Sequence, residues 1–385
     1  MRSFAYGFLS VILGLYLDAM GLSPAAIGWI FTAALGGGAL MTILITAIAD
    51  RFGRKILLIA GAALMALAGY VFAVSDDPIL LAIAAIFGTI SPSGKEVGPF
   101  LSLEQAILPQ TTSDQNRTTV FSAYNLVGSF AGALGALAVG LPTSFSLAPI
   151  YGYRFLIWSY IVSAILLAAL FALLSPSVEA IERTESARHK LGLRKSRRVV
   201  AKLASLFALD AFAGGFIVQS IVAYWFHLRY RTDLKALGGI FFGTNLLAAL
   251  SFLAAPAIAR RIGLLNAMVF THLPSNVLLL LVPLMPNQEL AVIMLLVRNS
   301  LSQLDVPTRQ SYTMAVVEPE ERAASAGVLS VARNAGAAIA PLFTGAVLTN
   351  PSLGLPFLLA GGLKVIYDLW IFAVFRTLKP PEEKN

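Results

Sequence analysis

The sequence predicts an all-α integral membrane protein: about twelve transmembrane helices in two six-helix, pseudo-symmetric halves. Three observations predict it. The chain is too apolar to be wetted as a soluble domain, its apolar runs recur at bilayer-spanning length, and one half of the sequence echoes the other.

Of 385 residues, 57% are hydrophobic and 12% charged, and the mean hydropathy is +0.78. A soluble domain carries about 25% charged residues. There are no cysteines, which excludes disulfides and thiolate chemistry. The three histidines, His189, His227 and His272, are scattered. No His-Glu-x-x-His, Gly-x-Ser-x-Gly or phosphate-cradling glycine loop is present. No soluble stretch is long enough for a nucleotide-driven motor, and neither cofactor nor metal is expected.

A helix needs about 20 apolar residues to cross the hydrocarbon core. Runs of that kind fall at 4–20, 27–49, 56–74, 79–108, 118–141, 150–174, 201–226, 236–258, 263–285, 288–315, 323–348 and 354–376. With the amino terminus in the cytoplasm, eighteen Lys and Arg fall on cytoplasmic loops and tail. Four fall outside: Arg154, Arg229, Arg231 and Lys235. The positive-inside rule then puts both termini in the cytoplasm. The surplus of positive charge is a topology signal facing anionic lipid headgroups, not a nucleic-acid surface. A multi-pass protein of a cell (inner) membrane, working as a monomer, is expected.

The repeat is read residue by residue. AYGFLSVILGLYL at 5–17 aligns with AGGFIVQSIVAYW at 213–225, matching Ala5, Gly7, Phe8 and Tyr16 to Ala213, Gly215, Phe216 and Tyr224. IGWIF at 27–31 aligns with LGGIF at 237–241, and ADRFG at 49–53 with ARRIG at 259–263. A weaker echo pairs Arg117 with Arg322. The halves therefore run 1–175 and 201–385, joined by a basic cytoplasmic linker at 176–200. Halves of like orientation are related by an axis along the membrane normal. The seventh span begins near 201, so its counterpart should begin about seven residues before Met1, and the first helix looks clipped.

Ala49-Asp50-Arg51-Phe52-Gly53-Arg54-Lys55 follows the second span. It resembles the signature loop of the major facilitator superfamily, G-x-x-x-D-R-x-G-R-K/R, with Thr46 in place of the leading glycine. The resemblance implies a transporter fold with a cavity between the halves. It also implies a gating role for Asp50, Arg51, Gly53 and Arg54, with Asp50 set against a helix amino terminus near Arg322 and Glu104 as acidic partner of Arg54. The bland alternative is a solvated, topology-setting loop. Gly128, Gly132 and Gly135 resemble the family's antiporter motif in the fifth span, with Ala133 where the motif has proline. The same spacing also serves plain close packing. The run from Asp305 to Arg322 is similar to the tenth span of drug-efflux-like members.

Ionisable groups inside spans are expensive and mark function, and broken helices at matching places mark transporter sites. The fourth span breaks at Ser91-Pro92-Ser93-Gly94-Lys95-Glu96-Val97-Gly98-Pro99. The tenth carries Arg298, Asn299, Gln303, Asp305, Pro307 and Arg309. Lys95, Glu96, Asp210, Arg298, Asp305, Asn125 and Arg333 are the candidate substrate- and proton-binding residues; for the first five a structural ion pair is the alternative, while Asn125 and Arg333 are singled out because they interrupt their spans. Arg309 is placed at the cytoplasmic rim. His272 is assigned to peripheral packing. Lys364 and Asp368, four apart, are read as a structural pair. The expected function is secondary transport of a small solute by alternating access, with a proton as coupling ion and outward movement of an amphipathic compound. The alternatives are uptake or export of an organic anion or metabolite and, in another class, a lipid scramblase or non-transporting sensor.

Overall fold

A computed structural model describes residues 1–94, 100–108, 117–145, 148–179, 193, 195–318 and 321–378. The helices run α1 (Arg2–Ala19), α2 (Pro24–Phe52), α3 (Arg54–Val74), α4 (Pro78–Phe87), α5 (Phe100–Ile107), α6 (Arg117–Ala138), α7 (Pro149–Ala172), α8 (Arg197–Gly215) and α9 (Gln219–Tyr230). Next come α10 (Leu234–Ser251), α11 (Ala255–Ile262), α12 (Leu264–Leu281), α13 (Gln288–Leu301), α14 (Asp305–Ala315), α15 (Arg322–Ile339), α16 (Thr344–Leu348) and α17 (Leu355–Phe375). Ten segments among the described residues are long and apolar enough to cross a membrane. The apolar α1, with Arg2 and Asp18 near its ends, and the broken α4–α5 pair complete the expected series.

Local chemistry sets the ends. The Ser23 hydroxyl accepts from Ala26 N–H at 3.3 Å, and Pro24 takes the first helical position, where its missing N–H costs nothing. Asp77 and Pro78 open α4 in the same way. The interior breaks follow proline and glycine. Pro307 has no N–H to offer the Gln303 carbonyl, which accepts from Val306 N–H at 3.3 Å instead, and the chain breaks between α13 and α14 there. Pro256 lies just past the α10–α11 break, and Pro341 lies in the break between α15 and α16. Gly214 and Gly215 end α8.

Two compact units form. One comprises 1–186, 218–242 and 341–349; the other comprises 187–217, 243–340 and 350–385. The seventh and eleventh segments each change unit at their break, so α8 and α15 lie in the second unit, α9 and α16 in the first.

The repeat read from sequence reappears as geometry inside each unit. Gly53 joins α2 to α3 at φ +88° and ψ 138°; Gly263 joins α11 to α12 at φ +85° and ψ 162°. An L side chain is strained at such φ. In the first unit, a Cβ on Gly7 would stand 2.1 Å from the Gly132 carbonyl oxygen, and one on Gly135 1.9 Å from that of Phe4. In the second unit, a Cβ on Gly215 would stand 2.6 Å from the Ala337 oxygen, and one on Gly336 2.3 Å from that of Ala208. The α1–α6 and α8–α15 pairs are therefore both backbone-to-backbone crossings of the small-residue kind. Gly135→Val would push α6 off α1. Overpacking costs about 1–3 kcal/mol, and we expect a matching fall in the thermal unfolding midpoint of the purified variant, with Gly239→Ala, where a Cβ meets open space, near wild type.

Candidate functional site

Four helices of the second unit turn charged side chains onto one carboxylate. Asp210, on α8, is 3% exposed and accepts from Lys364 Nζ of α17, from Arg309 of α14 at 3.2 Å and from Arg333 of α15 at 3.4 Å. Arg309 also pairs with Asp305 one turn earlier on α14, at 3.0 Å. His272, on α12, presents Nε2 at 3.9 Å to Asp210 and Nδ1 at 2.7 Å to Asp368 of α17. The Asn276 amide donates to the other Asp368 oxygen at 2.8 Å.

The spacing explains how so few turns supply so many groups. His272 with Asn276, Asp305 with Arg309, and Lys364 with Asp368 are each four apart, and such residues share a helix face. Arg298 of α13 stands within electrostatic reach of Asp210 and Asp305. Its Nε is buried without a hydrogen-bond partner, and its carbonyl oxygen accepts from the Ser275 hydroxyl at 3.3 Å. Among the described residues the cluster holds three carboxylates against Lys364, Arg298, Arg309 and Arg333, besides the histidine. The Arg333 side chain is 34% exposed, against 10% for Arg309 and 9% for Lys364, so it is the most exposed of the three cations on Asp210.

This arrangement brings together Asp210, Arg298, Asp305 and Arg333 of the sequence-derived candidates. It corrects three readings. His272 is 5% exposed and bridges two carboxylates, so it is not a peripheral packing residue. Lys364 and Asp368 do not pair with each other: Lys364 reaches Asp210, and Asp368 holds His272 and Asn276. Arg309 is buried between Asp210 and Asp305 and does not lie at a rim. The overlooked signal was polar residues at i and i+4 within apolar helices, as at His272 and Asn276.

The first unit holds a smaller polar node. Glu104 accepts a bidentate pair from Arg2, at 2.8 and 2.7 Å, and a bond from the Tyr124 hydroxyl. The Arg2 guanidinium lies over the Phe100 ring at 4.4 Å. Glu104 is thus the partner of Arg2, correcting its assignment to Arg54; α5 runs beside the amino-terminal end of α1. The N–H groups of Arg54 and Lys55, which open α3, donate to Glu179 at 2.6 and 3.2 Å, an anionic cap the sequence reading missed. Arg51 is exposed beside the Phe52 ring, and Gly53 makes the turn described above. Asn125 is exposed on α6 of this unit. Lys95, Glu96 and the Asp50 side chain lie outside the described residues. The shoulder of the break that carries Lys95 and Glu96 is described: Ser220 N–H donates to Pro92 O at 3.0 Å and its hydroxyl to Ser10 O at 2.6 Å, while Gln219 donates to the Ser10 hydroxyl at 2.9 Å.

A hollow of about 660 Å³ lies elsewhere, between Ala259–Leu264, Ser311–Ala315 and Arg322. It is a surface groove with basic rims and none of the buried carboxylates.

Residues 1–304 match the Major Facilitator Superfamily. The chain belongs to that family. Solved structures agree on the fold. The nucleoside transporter NupG superposes with a TM-score of 0.76 at 17% identity, covering 97% of this chain and 97% of its own. A bacterial homolog of the human lysosomal transporter Spinster gives 0.74 at 15% identity, covering 98% and 95%. The xylose transporter XylE from E. coli gives 0.70 at 15% identity, covering 100% and 97%. The uncharacterized membrane protein YJR124C of Saccharomyces cerevisiae is 28% identical over 97% of this chain and 92% of its own length. The chain is accordingly a multi-pass membrane protein and a secondary transporter, not an enzyme.

Proposed function

We propose that the chain couples proton movement to transport of an organic anion or anionic metabolite, with the cluster around Asp210 as its site. The observation that carries this reading is the cationic surplus of that cluster. Isolated charge inside a membrane protein is costly unless paired. Three carboxylates cannot neutralise four cations, and an anionic group of a solute would supply the missing charge. Arg333, the most exposed of the three cations on Asp210, gives it a first contact, and a guanidinium suits a carboxylate or phosphate fork.

The reading is tested with the full chain in proteoliposomes that carry an imposed pH gradient. Accumulation of labelled organic anions toward the alkaline side is expected, with about tenfold concentration per pH unit for one coupled proton. Equilibration without concentration would overturn proton coupling. Outward movement of an amphipathic compound, which the likeness of Asp305–Arg322 favours, predicts accumulation of lipophilic solutes toward the acidic side, and the same vesicles separate the two. Arg333→Gln should raise the half-saturating anion concentration at least tenfold while leaving the folded fraction near wild type, because its contact with Asp210 is the longest and most exposed of the three basic contacts.

A further inference from the structure

Resting on the anion reading above, we infer that His272, clamped between Asp368 and Asp210, carries the coupling proton, and that proton and anion bind together rather than in exchange.

The ring geometry is the starting point. Nδ1 lies 2.7 Å from Asp368 Oδ1, and the Asn276 amide, fixed by its 2.8 Å bond to Asp368 Oδ2, lies 3.1 Å from the same nitrogen. Nε2 points at Asp210 Oδ1, 3.9 Å away. With the proton of a neutral ring on Nδ1, the Nε2 lone pair faces a carboxylate. A second proton, on Nε2, turns that contact into an attractive one. The ring can thus take up one proton without any side chain leaving its place.

The charged groups of the cluster enter one charge balance with the ring. α17 brings Asp368, Lys364 and Tyr367, whose ring meets the imidazole edge-to-face with centroids 5.9 Å apart. α8 brings Asp210, α13 Arg298, α14 Asp305 and Arg309, and α15 Arg333. Arg260 and Arg261 on α11 are exposed and outside the cluster. With a neutral ring the cluster has one positive charge in excess; with a protonated ring it has two. In a buried setting a second unpaired positive charge is strongly unfavourable, and an arriving anion removes that penalty. Protonation therefore favours anion binding, and by linkage anion binding favours protonation to the same degree. This makes the stoichiometry that of co-transport. Asp210, held by Lys364, Arg309 and Arg333, serves as the fixed counter-charge through which ring and anion sense each other.

The test uses the purified protein and three probes whose charge is constant above pH 6: benzenesulfonate, benzoate and methanesulfonate. Binding is read by thermal shift from pH 6 to 8, and proton uptake by an indicator dye in weak buffer. At least one probe should bind up to about tenfold more tightly per pH unit of acidification, with about one proton taken up per anion. His272→Gln should flatten that slope to less than twofold over the range while binding persists. Asp368→Asn, which keeps the shape, should move the slope in the same way and covers a failure of the first variant to fold. A purely structural histidine would lower stability at all pH values and leave the slope intact, which overturns the inference. Binding that weakens on acidification, or proton release on binding, also overturns it. No binding by any probe overturns the anion reading itself, which separates the two failures.

Discussion

Asp210→Asn is expected to abolish coupled transport and to destabilise the protein by about 3–5 kcal/mol, the cost of stranding buried charge when one partner of an ion pair is removed. The three cations on that carboxylate are not equally exposed to the loss. Arg309 keeps Asp305, and Arg333 can turn toward solvent. Lys364 has no such refuge: its residue is 7% exposed, and the carboxylate four residues on, Asp368, is engaged by His272 and Asn276. Asp210→Asn combined with Lys364→Met removes charge of both signs and should recover most of the lost stability without recovering transport, because the counter-charge is still missing. The comparison is made by unfolding midpoint in detergent and by uptake in vesicles. If the single variant kept wild-type stability and transport, the cluster would be peripheral to function.

How much of this could be read in the sequence follows from which forces are local. Gly53 and Gly263 were legible as matched positions because ADRFG and ARRIG carried the repeat, and both glycines sit at a φ near +85° that an L side chain resists. Asp210, Arg298, Asp305 and Arg333 were legible because charge within an apolar run is costly wherever it points. Their partners were not, since pairing is decided by which helices cross. Lys364 and Asp368 look like a pair on an isolated helix, yet α8 and α12 lie against α17 and offer each a separate partner. His272 looked like one more residue of an apolar face until α12 met α17. The same limit applies to Glu104. Its assignment to Arg54 came from the family likeness, whereas the packing of α5 beside α1 gave it Arg2.

The second large effect concerns motion. Alternating access requires that contacts tying the early spans to later parts of the chain form and part. Within the first unit such contacts join α2 to α16. A Cβ on Gly28 would stand 2.2 Å from the Pro341 carbonyl oxygen, and one on Gly345 would stand 3.0 Å from the Ala25 Cβ. Only small side chains stand here, the Thr344 Cβ lying 3.1 Å from the same Gly28 Cβ position, so the contact is close and held chiefly by dispersion, which suits a contact that opens during transport. Ala25→Cys with Gly345→Cys places two thiols near the roughly 3.5–4.5 Å Cβ separation of a disulfide after a small adjustment, in a chain with no other cysteine. Oxidation of the double variant should reduce transport to less than about a tenth, and reductant should restore it; each single variant should be indifferent to both treatments. Ligand binding should survive the cross-link, because the cluster around Asp210 shares no residue with this contact. Full transport by fully cross-linked protein would mean that α2 and α16 move as one body throughout the cycle, and the opening would then have to be sought at other contacts of the seventh and eleventh segments.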